Sequence, residues 1–381
     1  MRGNKLLKTV DFYVGSLLIL LLAVFVRRNR IPPPRRPERI LLIKLAALGD
    51  TVLVVPAMRE IRKTFPDARI TMLVTAINAD IVKLFPGYVD QSINFQIGRA
   101  LRNPYYFLRL IATLRNGNFD TVVDFEQWSS ITPILGTLSA APVRVGFKTS
   151  RPVRHLLYTR SYPRHENLHE AENFLGLLTS IGIQSKSPKL ELPVNPVKKN
   201  EVSSTLRAGG WGKNRRLVIV HPGCGTHGFP REWPVERYRE LCNRLLAREN
   251  AYFVFTAGRG EERLQDELVR SFADNSIRWS DPGIEHLIAL LSLADLLISG
   301  NNGIMHLGAA LGIRQVALHG PTNADKWGPL NRRATVVRSA CPGCPCLDLG
   351  FEYHRTDGYC MQQMSVDEVY EAAQRLLKGR K

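Results

Sequence analysis

Asp50 is the carboxylate of this sequence that is best placed to do chemistry. It follows Gly49, where an apolar run of strand length (39–44) gives way to a helical apolar run that continues to residue 65. Ligands of parallel α/β sheets bind at the carboxyl ends of the strands, so a carboxylate there can act as a general base. The alternative is that Asp50 caps the N-terminus of the helix, and sequence position alone favours capping.

A second candidate site is the turn 300–303, in which Asn301 and Asn302 lie between two glycines. The turn joins a run of strand length (296–299) to a run with helical periodicity, and another strand pattern follows at 315–318. A strand–turn–helix–strand unit of this length is a parallel crossover, and its turn exposes backbone N–H groups at a helix N-terminus. These groups and the helix dipole favour an anion. A phosphate-bearing ligand is therefore the first interpretation, and an ordinary crossover turn is the other.

Arg231 is the third candidate, and it ends a glycine-rich loop that follows the strand pattern 217–220. The loop contains Gly225 and Thr226 and leads through Arg231 to Trp233. Two glycine-bearing strand-to-helix turns with an arginine between them in sequence are typical of a diphosphate site, because a guanidinium binds phosphate oxygens in pairs. Without these neighbours, Arg231 is equally consistent with a surface cation.

Alternating strand and helix patterns place these groups in two α/β domains. A chain of 381 residues is long enough for two cores, and a stretch rich in proline and lysine at 184–199 separates the two series of patterns. We predict an N-terminal domain over 38–190 and a C-terminal domain over 191–381, each with a parallel sheet. A tyrosine- and arginine-rich loop is expected after residue 147. The predicted strands are 39–44, 69–75, 91–95, 121–124, 143–147, 217–220, 253–257, 296–299 and 315–318.

Residues 1–37 form a separate leader. The run 12–26 carries no charge and lies between Lys5 and Lys8 on one side and an arginine cluster and a proline-rich spacer (31–37) on the other. As a helix this run is about 22 Å long, shorter than the roughly 30 Å hydrocarbon core of a bilayer. We predict a monotopic, re-entrant or thinly spanning anchor that holds both domains on the cytoplasmic face of an anionic bacterial inner membrane. A buried core helix is disfavoured because the run has no polar face.

The net charge of the chain indicates which classes of binding partner to expect. It carries 52 Lys plus Arg against 34 Asp plus Glu, a formal charge of +18, which suits an anionic membrane surface or a phosphorylated substrate. The sequence has no zinc-finger spacing and no other nucleic-acid-binding module, so nucleic acid is not a predicted partner.

Four of the six cysteines crowd into one region of the chain. So few cysteines do not make a disulfide scaffold in a chain of this length, and they indicate a reducing compartment. The spacing fits a zinc site with His354 nearby, but we favour packed free thiols and predict no metal. The four residues are Cys341, Cys344, Cys346 and Cys360.

Four segments of the chain together form a recognisable series. In order, they are KLAALGDTVLVVPAMREIRKTFP, HPGCGTHGFPREWPVERY, LISGNNGIMHLGAALG and VALHGPT. They resemble glycosyltransferase family 9, the bacterial ADP-heptose:lipopolysaccharide heptosyltransferases and their relatives, and the likeness covers roughly residues 39–377. The resemblance implies a GT-B fold, in which two Rossmann-like domains face a cleft, the first binding the acceptor and the second the donor. It also implies inversion at the anomeric carbon without a metal or other cofactor, and the sequence contains no Asp-x-Asp metal motif.

The resemblance also implies roles for individual residues. Asp50 matches the aspartate of the family's Gly-Asp motif and would be the general base, with Lys44 and Gly49 on the acceptor side. Arg231 matches a basic residue, usually lysine, that would bind the donor diphosphate. The ribose-binding glutamate is assigned to Glu261, one residue before Glu262 in a loose alignment. The donor side is completed by Thr226, Asn301, Asn302, Gly303 and His306.

One departure from the family concerns the turn, where Asp-Thr-Gly is usual and this chain has Asn301-Asn302-Gly303. An amide hydrogen-bonds a sugar hydroxyl without carrying charge, which leaves the identity of the sugar open.

These features predict an inverting, metal-independent glycosyltransferase. It would move a sugar, heptose by resemblance, from a nucleotide-diphosphate donor such as ADP-heptose to a lipid-linked acceptor in lipopolysaccharide core or related envelope glycan synthesis. A non-catalytic nucleotide-sugar binder or scaffold at the membrane surface, which Asn301 favours, is the alternative. A nucleotide-sugar epimerase on the same fold is a third.

Overall fold

A computed structural model of the chain describes residues 5–26, 36–150, 153–225, 229–280, 283–347 and 359–379. Thr226, His354 and most of the spacer 31–37 lie outside the described residues. The chain divides into two compact units, Met1–Pro188 and Lys189–Lys381. Each unit contains a six-stranded parallel sheet.

The sheet of the first unit has the order β3-β2-β1-β4-β5-β6. Its strands are β1 (Arg39–Ile43), β2 (Arg69–Val74), β3 (Gln91–Asn94), β4 (Thr121–Asp124), β5 (Val143–Lys148) and β6 (Arg160–Pro163). Its helices are α1 (Lys5–Phe25), α2 (Leu48–Thr64), α3 (Ala76–Lys83), α4 (Ile97–Arg102), α5 (Pro104–Asn116), α6 (Ile131–Leu138) and α7 (Glu170–Leu177), with 3-10 helices at Arg154–Leu157 and Leu178–Ile181. The chain order reverses between β1 and β4, and ligands of open parallel sheets bind beyond the strand ends at such a point.

The second unit repeats this topology. It begins with α8 (Pro196–Ala208), and its strands are β7 (Arg216–His221), β8 (Ala251–Thr256), β9 (Ser276–Trp279), β10 (Leu296–Gly300), β11 (Gln315–His319) and β12 (Ala334–Arg338). The sheet order β12-β11-β10-β7-β8-β9 reverses between β7 and β10. The helices are α9 (Val235–Glu249), α10 (Glu262–Ser271), α11 (Ile284–Leu293), α12 (Gly303–Ala310), α13 (Ala324–Trp327), α14 (Tyr359–Gln362) and α15 (Val366–Lys378), with 3-10 helices at Phe229–Arg231 and Ala273–Asn275.

The nine predicted strands each match an observed strand within two residues at either end. Apart from the edge strand β3, whose residues are exposed or half-buried, their apolar runs are buried on both faces, as parallel strands between two helical layers must be. The prediction of a loop throughout the stretch after residue 147 is wrong, because Arg160–Pro163 forms β6 at the edge of the sheet. Its alternating half-exposed residues do not give a buried-strand pattern.

The leader helix packs against the first unit. Asp11 accepts the backbone N–H of Ser130 at 3.0 Å, directly before α6, where a carboxylate satisfies one of the free N–H groups of the helix. Gly15 lies so close to Ser130 that a larger residue would clash, and Ile19 is fully buried with Ile134. Helix α1 is thus longer than the predicted run, and one side of it is covered by protein.

The opposite side of α1 is apolar and exposed. Within the described ranges, no helix combines the length and the apolar character needed to cross a lipid bilayer. The exposed residues are Val10, Phe12, Tyr13, Val14, Leu17, Leu18, Leu20, Leu21, Val24 and Phe25.

Candidate functional site

Asp50 lies in the first turn of α2, beyond the carboxyl end of β1. The N-cap of this helix is Ala47, so the interpretation of Asp50 as the N-cap residue is wrong. Asp50 is buried, and its Oδ2 lies 3.4 Å from the Nζ of Lys44, which has no exposed surface. The negative charge also lies at the positive end of the helix dipole. A buried carboxylate requires such partners, since desolvation of an unpaired charge is costly.

Lys44 has a second carboxylate partner, Glu126, which sequence reasoning missed. The Oε1 of Glu126 lies 3.4 Å from Lys44 Nζ and accepts the backbone N–H groups of Leu45 and Ala46 at 2.8 and 3.0 Å. Glu126 follows β4, which pairs with β1, so both carboxylates lie at the point where the strand order reverses. The available signal was the polar sequence Glu126-Gln127 directly after a buried strand.

Further hydrogen bonds hold Lys44 and its carboxylates in place. Gln127 accepts from Lys44 Nζ at 3.3 Å and donates to Glu170 at 2.8 Å, and Glu170 is paired with Arg164 at 3.0 Å. Arg164 also pairs with the exposed Glu166 at 3.3 Å, so the described network holds four carboxylates and two cations, and carboxylates are in excess. Asp50 lies in the first turn of α2, as Glu170 does in that of α7, and the Asp50 carboxylate can accept a proton from a bound hydroxyl group.

The turn after β10 has the predicted form in the second unit. Asn302 is the N-cap of α12, and its side chain accepts the N–H of Met305 at 3.1 Å and donates to the carbonyl of Gly223 at 3.0 Å. Gly303 is the first residue of the helix. The side chain of Asn302 thereby ties this turn to the loop after β7, and β7 pairs with β10 at the point of strand reversal.

Arg231 joins the same two loops. Its guanidinium donates to the carbonyl of Cys224 at 2.7 Å and to that of Asn301 at 3.2 Å. Its buried Nε has no hydrogen-bond partner among the described residues, so one donor is left for a ligand. Burial raises the pKa of the Cys224 thiol to about 12, and the protonated thiol donates to the carbonyl of Arg231. Cys224 is therefore a structural thiol and not a nucleophile at neutral pH.

Glu261 also contacts the loop after β7. Its carboxylate accepts the N–H groups of Gly225 and Gly258, and it lies 3.3 Å from the Nε2 of His221. Burial alone would raise the pKa of Glu261, but the hydrogen bond and charge of His221 and the two backbone donors outweigh it and lower the pKa to about 2. Glu262 is exposed and bonds only the N–H of Gly260 among the described contacts. Of the two glutamates, Glu261 is the one that contacts the loop after β7.

Glu261→Gln should lower the thermal midpoint at neutral pH, and the difference from wild type should shrink in acid. A carboxylate whose pKa is lowered from 4.5 to about 2 stabilises the folded state above pH 4.5, and that contribution disappears as the pH falls from 4.5 towards 2. From this shift, the contribution of the Glu261 carboxylate to the free energy of unfolding at neutral pH is at most roughly 3 kcal/mol. Midpoints measured from pH 7 to pH 3 test this, with the exposed Glu262→Gln as control. A difference that is constant across this range would contradict it.

Two histidines lie at the carboxyl edge of the second sheet in addition to His221. His306 is buried on α12. His319 ends β11, and burial, followed by the nearby His306 and Arg338, lowers its pKa to about 3, so it is neutral. Its Nδ1 lies 3.0 Å from the hydroxyl of Thr322. Sequence reasoning missed His221 and His319, although both end apolar strands and stand next to the glycine-bearing turns.

A cavity of about 310 Å³ lies elsewhere in the first unit. It is lined by Arg39 and Arg69, the first residues of β1 and β2. The cavity is therefore at the amino edge of the sheet, whereas Asp50 lies beyond the carboxyl edge.

The family model that matches the chain and the curated relatives of the chain agree on one family. Residues 107–353 match the model of glycosyltransferase family 9 (heptosyltransferase). The chain is 22% identical to lipooligosaccharide heptosyltransferase 2 of Campylobacter jejuni over 345 residues, which cover 87% of this chain and 96% of the relative.

Solved structures show the same GT-B-like fold. The ADP-heptose lipopolysaccharide heptosyltransferase II of Escherichia coli superposes with a TM-score of 0.69 at 19% identity and covers 89% of this chain and 98% of its own. The Escherichia coli heptosyltransferase WaaC with ADP superposes with a TM-score of 0.68 at 20% identity and covers 89% of this chain and all of its own.

Proposed function

Because the chain belongs to glycosyltransferase family 9, we propose that it transfers heptose from ADP-heptose to a lipid-linked acceptor in the synthesis of a lipopolysaccharide core or a related envelope glycan. The chain is a glycosyltransferase by this membership, and the relatives named above are heptosyltransferases. The proposal rests on a buried carboxylate site in one unit and on a turn at a helix N-terminus in the other. Each lies where its own sheet reverses strand order.

The donor diphosphate is assigned to the turn Asn301-Asn302-Gly303 and to Arg231. Support comes from the N-terminus of α12, whose free N–H groups and dipole favour an anion, and from the Nε of Arg231, which has no partner within the part of the chain that the structure describes. Charge develops on the diphosphate as the glycosidic bond breaks, and fixed donors at this position stabilise it. Thr226 and His306 belong to the same assignment, and Glu261 is assigned to the ribose.

The acceptor is assigned to the first unit, with Asp50 as the general base. Asp50 removes the proton of the acceptor hydroxyl while that oxygen attacks the anomeric carbon from the face opposite the diphosphate, so configuration is inverted. Lys44, which also pairs with Glu126, holds the carboxylate in place, and the resemblance assigns Gly49 to the acceptor side. The absence of an Asp-x-Asp sequence supports a mechanism in which side chains and backbone donors, without a metal, stabilise the leaving group.

A panel of nucleotide sugars tests the donor assignment. Thermal shifts with ADP-, UDP-, GDP- and dTDP-sugars should be largest for the ADP-sugar, since a ligand at 100 times its Kd stabilises by about 2.7 kcal/mol. ADP release that depends on an added heptose-deficient lipopolysaccharide then tests transfer. Tight donor binding without transfer to any acceptor would instead support the non-catalytic binder. A larger shift with another nucleotide would refute ADP-heptose as donor.

We also propose that α1 anchors the enzyme on the cytoplasmic face of the inner membrane. Asp11 and Ile19 fix one side of the helix to the protein, and the other side carries a continuous set of exposed large apolar residues. A monotopic arrangement is the form this supports, with the covered side against the first unit and the exposed side in the interface. The basic leader favours anionic lipid.

The triple variant Leu17→Gln, Leu18→Gln, Leu21→Gln should no longer be found in the membrane fraction after lysis. Each of these roughly half-exposed leucines would contribute about 0.8–1.5 kcal/mol on transfer from water, about 2.4–4.5 kcal/mol for the three, so binding to anionic vesicles should weaken by at least about fiftyfold. The thermal midpoint should be unchanged, because these side chains do not pack in the core. Val197→Gln, which replaces an exposed apolar residue on α8, is the control. Wild-type protein found in the soluble fraction after lysis would refute the anchor.

A further inference from the structure

Three cysteine thiols from two separate segments converge in the second unit. Cys341 and Cys344 lie in the loop after β12, and Cys360 lies on α14. Their three sulfur atoms all lie within 4.8 Å of one another, and the Sγ atoms of Cys341 and Cys360 are 3.6 Å apart. Cys341 and Cys360 are buried and Cys344 is partly exposed. Spacing in the sequence alone favours packed free thiols, but this convergence reverses that preference.

The arrangement fits a tetrahedral metal ion with sulfur ligands. Zinc–sulfur bonds of about 2.3 Å place two sulfurs of a tetrahedron about 3.8 Å apart, close to the separation of the Cys341 and Cys360 sulfurs. Thiolates select zinc and other thiophilic ions, whereas magnesium and calcium prefer oxygen ligands. Cys346 is two residues beyond Cys344 and partly exposed, and it is the remaining thiol of this loop. The other cysteines, Cys224 and Cys242, belong to different parts of the unit.

We propose that Cys341, Cys344 and Cys360 bind a thiophilic divalent ion, with zinc expected and Cys346 as the fourth ligand. On binding, each thiol gives up its proton to solvent and coordinates as a thiolate, with no change in oxidation state. The ion would cross-link the loop after β12 to α14.

Contacts around the cluster indicate what this cross-link would stabilise. Helix α14 packs against the 3-10 helix Phe229–Arg231, which carries the proposed diphosphate arginine. Met361 on α14 lies directly against Gly320, just after β11, and Cys346 donates its N–H to the carbonyl of Pro321 at 2.9 Å. The ion would thus link two segments, the loop after β12 and α14, that contact the turn after β11 and the 3-10 helix of Arg231. Its role is structural, and metal binding does not depend on the proposed function.

Metal analysis of the purified full-length chain tests this proposal. We expect about one zinc per chain after gel filtration without chelator, and less than a tenth of that in Cys344→Ser and in Cys360→Ser. Cys242→Ser, which removes a buried thiol of α9, should retain the metal. Iron at the same stoichiometry, lost in the same two variants, would support the site with a different thiophilic ion. Zinc retained in both variants would overturn it.

A second measurement does not depend on how the variants fold. Wild-type protein stripped of metal and titrated with Co²⁺ should develop the visible absorption of tetrahedral cobalt–thiolate, and Zn²⁺ should abolish it. Chelation should also lower the thermal midpoint of wild type more than that of Cys344→Ser. Absence of the cobalt spectrum with all six thiols reduced would overturn the proposal. So would a Cys341–Cys360 disulfide in protein alkylated directly on cell lysis.

Discussion

Asp50→Asn should reduce the rate of sugar transfer by on the order of a hundredfold or more, with donor affinity within a few-fold of wild type. The proposed base acts on the acceptor hydroxyl, so the donor site should be unaffected. Asparagine keeps the size of the side chain, but its amide does not take up a proton at neutral pH. Single-turnover transfer at saturating donor and acceptor, together with calorimetric titration of the donor, measures both quantities.

A loss of stability has to be separated from a loss of chemistry, because Asp50 is buried beside Lys44. Breaking a buried ion pair costs about 3–5 kcal/mol when the remaining charge is left alone. Lys44 keeps Glu126 at 3.4 Å, so we expect a smaller cost, about 1–2 kcal/mol. Rates should be compared well below the thermal midpoint. Asp80→Asn, which breaks an exposed pair with Lys83 in the same unit, is the control. Transfer by Asp50→Asn at the wild-type rate would refute the mechanism.

How far the candidate site could be predicted depends on how local its signals are. Asp50 and the turn 300–303 each follow an apolar strand within a few residues, so the hydrophobic periodicity of the flanking segments and the positions of the glycines identify them. Glu126 reaches Lys44 only because β4 pairs with β1, which are about 80 residues apart in the chain. Strand pairing of that separation is set by tertiary packing and has no local sequence pattern. Such partners become visible only in the folded structure.

The same distinction explains which strands were predicted. Central strands are buried on both faces and read as continuous apolar runs. The four edge strands of the two sheets are covered less, so their sequences are mixed: β6, β9 and β12 are not predicted, whereas β3 is predicted although its residues are mostly exposed. For helix α1, the sequence predicts the uncharged run but not its packing. One side of the helix is covered through the contact of Asp11 with the start of α6, and these residues are more than a hundred positions apart in the chain.

Arg231→Ala should weaken donor binding by roughly 1.5–3 kcal/mol, an increase in Kd of about 10- to 150-fold. Two effects add. The variant removes a positive charge and a free donor from the proposed diphosphate site, and it releases the carbonyls of Cys224 and Asn301 that Arg231 holds together. Isothermal titration with ADP and with an ADP-sugar measures the loss. Arg263→Ala, which removes an exposed cation of α10 in the same unit, should bind both ligands like wild type.

Arg231→Lys separates these two effects. Lysine keeps the positive charge, but its single ammonium group cannot hydrogen-bond the carbonyls of Cys224 and Asn301 in the planar geometry of a guanidinium. If the charge on the diphosphate dominates, Arg231→Lys should recover most of the donor affinity while its thermal midpoint stays near that of Arg231→Ala. If the bridge between the loops dominates, both variants should bind the donor equally weakly. We expect the first result, because the Nε of Arg231 is left without a partner among the described residues. Donor affinity of wild-type strength in Arg231→Ala would remove Arg231 from the site.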